Sequence, residues 1–247
     1  MMKTFDHLMM LGRPASGKSE FIDFMKKISD AERAKIFHIG EFEEIDDFVW
    51  IWEKFIEDDL WEKAGYPRLY SKHYMPDNPG MAPEGGRLFE FCIQKFNDVI
   101  TEKYLNHPDF YNDHTLFIEF ARGNKPSFKD ALEALKPEIL KRAAIFFIYV
   151  TREESWRRNV ARYQEKLKHS ILAHMLPRQT FDYFYSDHNW LELTKNEPNG
   201  YLMVQGLKIP FVTMNNEPES IDPVVLKKRY GDALTKLFEL YVTCPSP

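Results

Sequence analysis

Eight residues near the N-terminus constrain this chain more than any other stretch: Gly12-Arg13-Pro14-Ala15-Ser16-Gly17-Lys18-Ser19. They fit G-x-x-x-x-G-K-[ST] at every fixed position. An apolar run, residues 7–11, enters them, and a helical pattern with Phe21, Phe24, Met25 and Ile28 on one face leaves them. Two glycines let successive backbone N–H groups face a phosphate, and the start of a helix adds the positive end of its dipole. A lysine at position 18 can neutralise the outer phosphates of a nucleoside triphosphate, and the Ser19 hydroxyl can ligate Mg²⁺. Pro14 costs little where no ladder hydrogen bond is donated.

The rest of the chain alternates short apolar runs with longer helical patterns, which predicts an α/β fold with a mostly parallel sheet. Residues 35–39 read as a second strand ahead of Gly40. An aromatic helix follows, with Ile45, Phe48, Val49, Trp52, Phe55, Ile56 and Leu60 at helical spacing; such a stripe reads as core. Pro67, Pro76, Pro79 and Pro83 break residues 65–86 into a long loop of the kind that often closes or lines a site. Residues 88–104 return to helix, 114–120 form the third strand and 143–150 the fourth and most apolar one. A charged helix spans 153–168, and 170–199 are weakly patterned. Strands are predicted at 201–204 and 209–214, the first in a hairpin after Asn199-Gly200, and an amphipathic helix at 223–242 closes the chain.

At 247 residues and 44% hydrophobic content the chain can bury a full core. With 33 Lys+Arg against 38 Asp+Glu it carries a formal charge of −5, which disfavours a nucleic-acid partner held by a general basic surface. Cys92 and Cys244 lie far apart, so neither a disulfide scaffold nor a zinc site is expected. No apolar run reaches the ~18 residues of a membrane span, and residues 1–11 lack a leader pattern. A cytoplasmic protein with no membrane partner is the expectation; the sequence carries no mark of oligomeric state. His169 and His174, five apart, do not share a helix face, and no metal site is read there.

The strand–GRPASGKS–helix opening resembles the P-loop NTPases, and the layout beyond it is similar to their nucleoside/nucleotide kinase branch. That resemblance implies a three-layer fold with a mostly parallel five-stranded sheet in order 2-3-1-4-5. It also implies a single domain over 1–247, with an acceptor-side insertion at about 41–105 and a lid-like insertion at about 155–200. It further implies ATP and Mg²⁺ as cofactors. Gly12, Arg13, Pro14, Ala15, Ser16, Gly17, Lys18 and Ser19 would hold the nucleotide, and Ser19 and Glu119 the metal. Glu119 ends the third strand, and with Arg122 it resembles the Glu-Arg pair of deoxynucleoside kinases, where Arg122 would face the substrate. Arg158 and Arg162, spaced i,i+4 on one helix face, resemble lid arginines that stabilise the transferring phosphoryl group. Glu41, within the acidic run Glu41, Glu43, Glu44, Asp46, Asp47, matches the glutamate that activates the acceptor hydroxyl. Asn215 and Asn216 follow the last strand, near where the adenine would lie.

The function this predicts is an ATP·Mg²⁺-dependent phosphotransferase acting on an unidentified small-molecule, nucleoside or nucleotide acceptor. The alternative is an ATP-binding regulator with slow or no hydrolysis, using residues 40–90 for partner binding.

Overall fold

The computed structural model describes residues 3–75, 78–167 and 175–244. In chain order it contains β1 (His7–Gly12), α1 (Lys18–Lys26), α2 (Asp30–Phe37), β2 (Glu41–Asp46), α3 (Asp47–Lys63), β3 (Ser71–Met75), β4 (Asn78–Met81) and α4 (Arg87–Ile100). There follow β5 (His114–Phe120), α5 (Phe128–Glu133), α6 (Pro137–Leu140), β6 (Ala143–Tyr149), α7 (Arg152–Leu167), α8 (Arg178–Phe184) and α9 (Trp190–Leu193). The last elements are β7 (Asn199–Val204), β8 (Leu207–Asn215) and α10 (Pro223–Thr243).

Strand periodicity explains the layers. Side chains alternate across a sheet, and in β1 Met9 and Leu11 join one buried cluster while Leu8 and Met10 join another. In β6, Ile145 and Phe147 share the first face, and Ala144, Phe146 and Ile148 share the second. Helices α4, α5, α6 and α9 cover the first face; α1, α2 and α10 cover the second. Phe146 and Phe147 have no exposed surface, and truncating either to alanine costs ~3–5 kcal/mol on general experience of buried phenylalanines.

The main sheet runs β2-β5-β1-β6-β8-β7. Neighbouring strands are parallel up to β8, and β7 adds to the edge antiparallel. The sheet therefore has six strands rather than the five expected. Residues 199–200 lie within β7, and its tight turn is Gln205-Gly206, both at positive φ, the conformation that two-residue hairpins favour.

Two other expectations are corrected. Residues 35–39 do not form a strand: α2 runs to Phe37, and the second strand is the acidic Glu41–Asp46. Short apolar runs fit a helix end as well as a strand. Here the buried Arg33 decides, donating to the carbonyls of Met25, Ile28 and Gly40 and so tying the helix to the turns on either side of it. As a sheet edge, β2 tolerates exposed Glu41, Glu43 and Glu44. Nor are residues 65–86 all loop, because β3 and β4 pair there as a separate antiparallel ribbon. This ribbon packs with α3, α4 and α8 around a small third core that includes Ile51, Phe55, Met81, Leu88 and Phe181. His169 and His174 lie outside the described residues, as does the middle of the 155–200 segment. Among the described residues no helix is long and apolar enough to cross a membrane.

Candidate active site

The loop between β1 and α1 is built from below. Gly12 is required by close approach: a Cβ there would stand 2.5 Å from the Ile148 carbonyl oxygen and 2.7 Å from Ser16 Oγ. Gly17, the residue ahead of α1, takes φ 111°, and a side chain would collide with the Asn216 amide. The loop is then pinned through its carbonyls. Asn216 Nδ2 donates to Ser16 O at 2.8 Å, Arg158 Nη1 donates to the same oxygen at 3.4 Å, and Ser155 Oγ donates to Pro14 O at 2.7 Å. Arg158 Nη2 also donates to Asn216 O at 2.6 Å, and Arg229 Nη1 to Asn216 Oδ1 at 2.8 Å. With its carbonyls held from behind, the loop keeps one shape, which is the preorganisation an anion site needs.

In front of the loop lies a cavity of about 260 Å³. Pro14, Ala15, Ser16, Gly17, Lys18 and Ser19 line one side of it. Lys18 is buried; its Nζ donates to Arg13 O at 3.1 Å and lies 3.8 Å from Glu119 Oε1. Glu119 sits across the sheet from Met10 on one side and Asp46 on the other, so the parallel register brings both acids to the carboxyl ends of their strands beside the loop. Asp46 and Asp47 line the same cavity. Asp46 caps α3, accepting from Phe48 N at 2.9 Å, and Asp47 is buried against Arg122 at 2.5 Å.

This crowding shifts the acids. Burial pushes Glu119 up to about 7; Lys18 pulls it down, and Asp46, Glu44 and Asp47 add to the rise. Burial also raises Asp46 to about 6, with the Asp47 charge next in weight. Asp47 is raised by burial and restrained by Arg122. Because the Glu119 carboxyl has a folded pKa above its unfolded one, it contributes stability in full below about pH 4.5, and this is lost as pH rises through about 7. Glu119→Gln is therefore expected to match the wild type at pH 4.5 and to exceed it by about 3 kcal/mol at pH 8 without nucleotide. Urea unfolding across that range checks it. His7 and His188, which burial pulls to about 3 and about 4, favour stability at higher pH, but equally in both proteins, so the difference isolates Glu119.

The residues fit a nucleotide with magnesium. Ser16 Oγ is buried at the cavity wall with no partner among the described residues, as a hydroxyl awaiting an anion's oxygen would be. Ser19 is exposed at the cavity, and its hydroxyl with the Glu119 carboxylate gives the hard oxygen donors Mg²⁺ takes.

Not every expected site residue is brought here. Lys18, Ser19, Glu119 and Arg162 share the cavity, with Arg162 paired to Glu20 of α1. Arg158, one helical turn away, is buried behind the loop on Glu154, Ser16 and Asn216, and cannot close over a nucleotide. Arg13 is buried too, donating to Tyr185 O. Arg122 is sealed beneath the site, stacked over Phe89 and Phe120 at 4.7 and 5.0 Å. Its removal would strand a buried Asp47 charge: Arg122→Ala is expected to lose ~3–5 kcal/mol in urea unfolding at pH 8, with part of the loss recovered in the Arg122→Ala/Asp47→Asn double variant. Asn215 is exposed and accepts from Glu217 N; Asn216 is the asparagine that touches the loop.

Glu41 is the clear misplacement. It opens β2 at the amino end of the strand, away from the cavity, beside His114 at 3.6 Å. Five residue steps along the strand separate it from Asp46, about 16 Å. Of the acidic run, Asp46 and Asp47 line the cavity. Ligands of parallel sheets bind outside the carboxyl ends of strands, and Asp46 stands at that end of β2, where it caps α3.

No family model matches the sequence, and no curated protein does. Among solved structures, similar ones include a gluconokinase from Sinorhizobium meliloti 1021, at TM-score 0.48 and 11% identity over 98% of this chain and 99% of that one. A shikimate kinase from Bacteroides thetaiotaomicron gives 0.43 and 13% over 96% and 100%, and a sugar kinase from Janibacter sp. HTCC2649 gives 0.40 and 12% over 94% and 95%. Likenesses this loose bring neither activity nor substrate to this chain. The chain has an α/β fold with a mostly parallel central sheet flanked by helices, and its Gly12–Ser19 loop leads from the first strand of that sheet into α1.

Proposed function

We propose that this chain is an ATP·Mg²⁺-dependent phosphotransferase that moves the γ-phosphoryl group to the hydroxyl of a small acceptor. One observation carries this: a single cavity holds Pro14–Ser19 of the loop on one side and, on the other, Asp46 with Phe48, Ile51, Trp52 and Phe55 of α3. The loop amides, Lys18 and the N-terminus of α1 bind the β- and γ-phosphates. Ser19 and Glu119 hold Mg²⁺, which when bound neutralises charge on the phosphoryl oxygens. The acceptor oxygen forms its bond to the γ-phosphorus as the bond to the β–γ bridging oxygen breaks; Asp46 takes the hydroxyl proton, and ADP leaves. Arg162 stabilises charge on the transferring group. Arg158 and Asn216 position the loop, and Arg122 positions Asp47. The segment from α3 to α4 forms the acceptor side, and the described parts of 155–200 form the opposite rim.

The test is ADP release from ATP·Mg²⁺ across an acceptor panel. Acceptor-dependent turnover is expected; slow turnover indifferent to every acceptor would overturn the reading. Arg162→Ala is expected to lower kcat about 10–100-fold with nucleotide Kd changed less than about threefold. Equal losses in both would make Arg162 a binding residue only. The regulator reading has one observation in its favour: Val49, Ile56 and Leu60 stand on α3 with 55%, 47% and 60% of their surface exposed. Acceptor-independent turnover would turn attention to that face.

A further inference from the structure

Arg162 already has an anion beside it. Its Nη2 pairs with the carboxylate of Glu20, which stands in the first turn of α1, directly after Ser19. Lys18, Ser19 and Arg162 line the cavity, so the pair lies at its rim, between the head of α1 and α7.

The backbone beneath Arg162 is fixed. Earlier on α7, Ser155 Oγ donates to Pro14 O at 2.7 Å, and the buried Arg158 donates to Asn216 O at 2.6 Å. Asn159 donates to Leu176 O at 2.9 Å and accepts from Leu176 N at 3.2 Å. Arg162 therefore changes partner by turning its side chain rather than by moving the helix. That side chain is 31% exposed and the Glu20 side chain 48%, which leaves both room to turn.

The position of Glu20 decides what the pair opposes. The first turn of a helix favours an anion, and it is also where the loop delivers a phosphate. A carboxylate there holds the guanidinium at the mouth of the site while the place of the outermost phosphate is empty. A phosphate brings more charge and more acceptor oxygens than one carboxylate, and an ion pair this exposed is weak, so the exchange costs little.

Resting on the phosphotransferase reading, we infer that Glu20 is a positioning residue for Arg162: it holds the guanidinium at the head of α1 and yields it to the γ-phosphate of ATP. One anion replaces another in that exchange, which is why Arg162 adds little to the binding of ATP and acts on the group in transfer. The pair opposes the triphosphate alone, because ADP lacks the group that draws Arg162 away.

The experiment titrates the full chain calorimetrically, in Mg²⁺, with ADP and with the non-hydrolysable β,γ-imido analogue of ATP. Glu20→Gln is expected to tighten the analogue about three- to fivefold, the size of an exposed ion pair, and to leave ADP within about 1.5-fold. Glu20→Ala gives the same split if the glutamine amide still holds Arg162. In the Arg162→Ala background, Glu20→Gln is expected to move neither ligand. Equal tightening of ADP and analogue, or tightening that persists without Arg162, makes Glu20 a plain repulsive charge and overturns the inference. No change with either Glu20 variant, or a loss of ADP affinity in both, also overturns it. The expected split in a protein that releases no ADP from ATP in response to any acceptor upholds the inference and overturns the phosphotransferase reading instead. A wild type that binds neither nucleotide overturns both.

Discussion

Lys18→Ala is expected to lower acceptor-dependent turnover by about 10²–10³-fold and to weaken ATP binding about tenfold or more. The side chain is buried, with its Nζ between the Arg13 carbonyl and Glu119, so the substitution removes a buried cation that lies on the loop at the cavity. The fold should survive, for an electrostatic reason. Without Lys18 the Glu119 carboxyl, already raised by burial and by its acidic neighbours, rises further and stays protonated at neutral pH. The melting temperature is therefore expected to hold at pH 6 and to fall, relative to the wild type, at pH 9. Lys18→Arg should not rescue turnover, because a planar guanidinium does not replace a compact ammonium in a closed loop. Calorimetric titration of ATP and initial rates provide the check. Unchanged ATP affinity in the alanine variant would remove the phosphate role from the loop.

The loop was legible because its chemistry is local: two close backbone approaches, a lysine and a serine, all within eight residues. The third and fourth strands were legible because a strand buried on both faces is continuously apolar. The second strand was not, since as an edge strand it carries glutamates that a central strand would exclude. With the strand expected at 35–39, Glu41 follows it; in the structure Glu41 starts β2 and Asp46 ends it beside the cavity. The ribbon of β3 and β4 was hidden by Pro79, which a two-stranded ribbon with free edges admits.

Two pairs of neighbours have different fates. Arg158 and Arg162 share a helix face, as their spacing implies, yet one turn, about 5.4 Å, separates a side chain sealed under the loop from one at the cavity. Asn215 and Asn216 differ by one residue at the end of a strand, where successive side chains point apart; only Asn216 reaches Ser16. Spacing fixed which residues are neighbours, and the packing of α7 and α10 on the loop decided which of them touch it.

Asp46→Asn is expected to lower acceptor-dependent turnover by about 10²–10⁴-fold while leaving ATP affinity within about threefold. The isostere keeps an oxygen to cap α3 through Phe48 N, so helix and wall stay in place and the loss falls on proton transfer. Burial, with Asp47 beside it, holds the wild-type carboxyl near 6, close enough to neutral pH for a base to be both ionised and basic. The rate kcat/KM should accordingly climb with pH along a limb at about 6. In the asparagine variant that limb should vanish, leaving a low rate that is flat across it. Glu41→Gln, at the other end of the same strand, should keep both the limb and the rate. A surviving limb in Asp46→Asn would transfer the base to Glu119 or Asp47, and a collapse of ATP affinity together with turnover would make Asp46 a part of the nucleotide site rather than the acceptor's base.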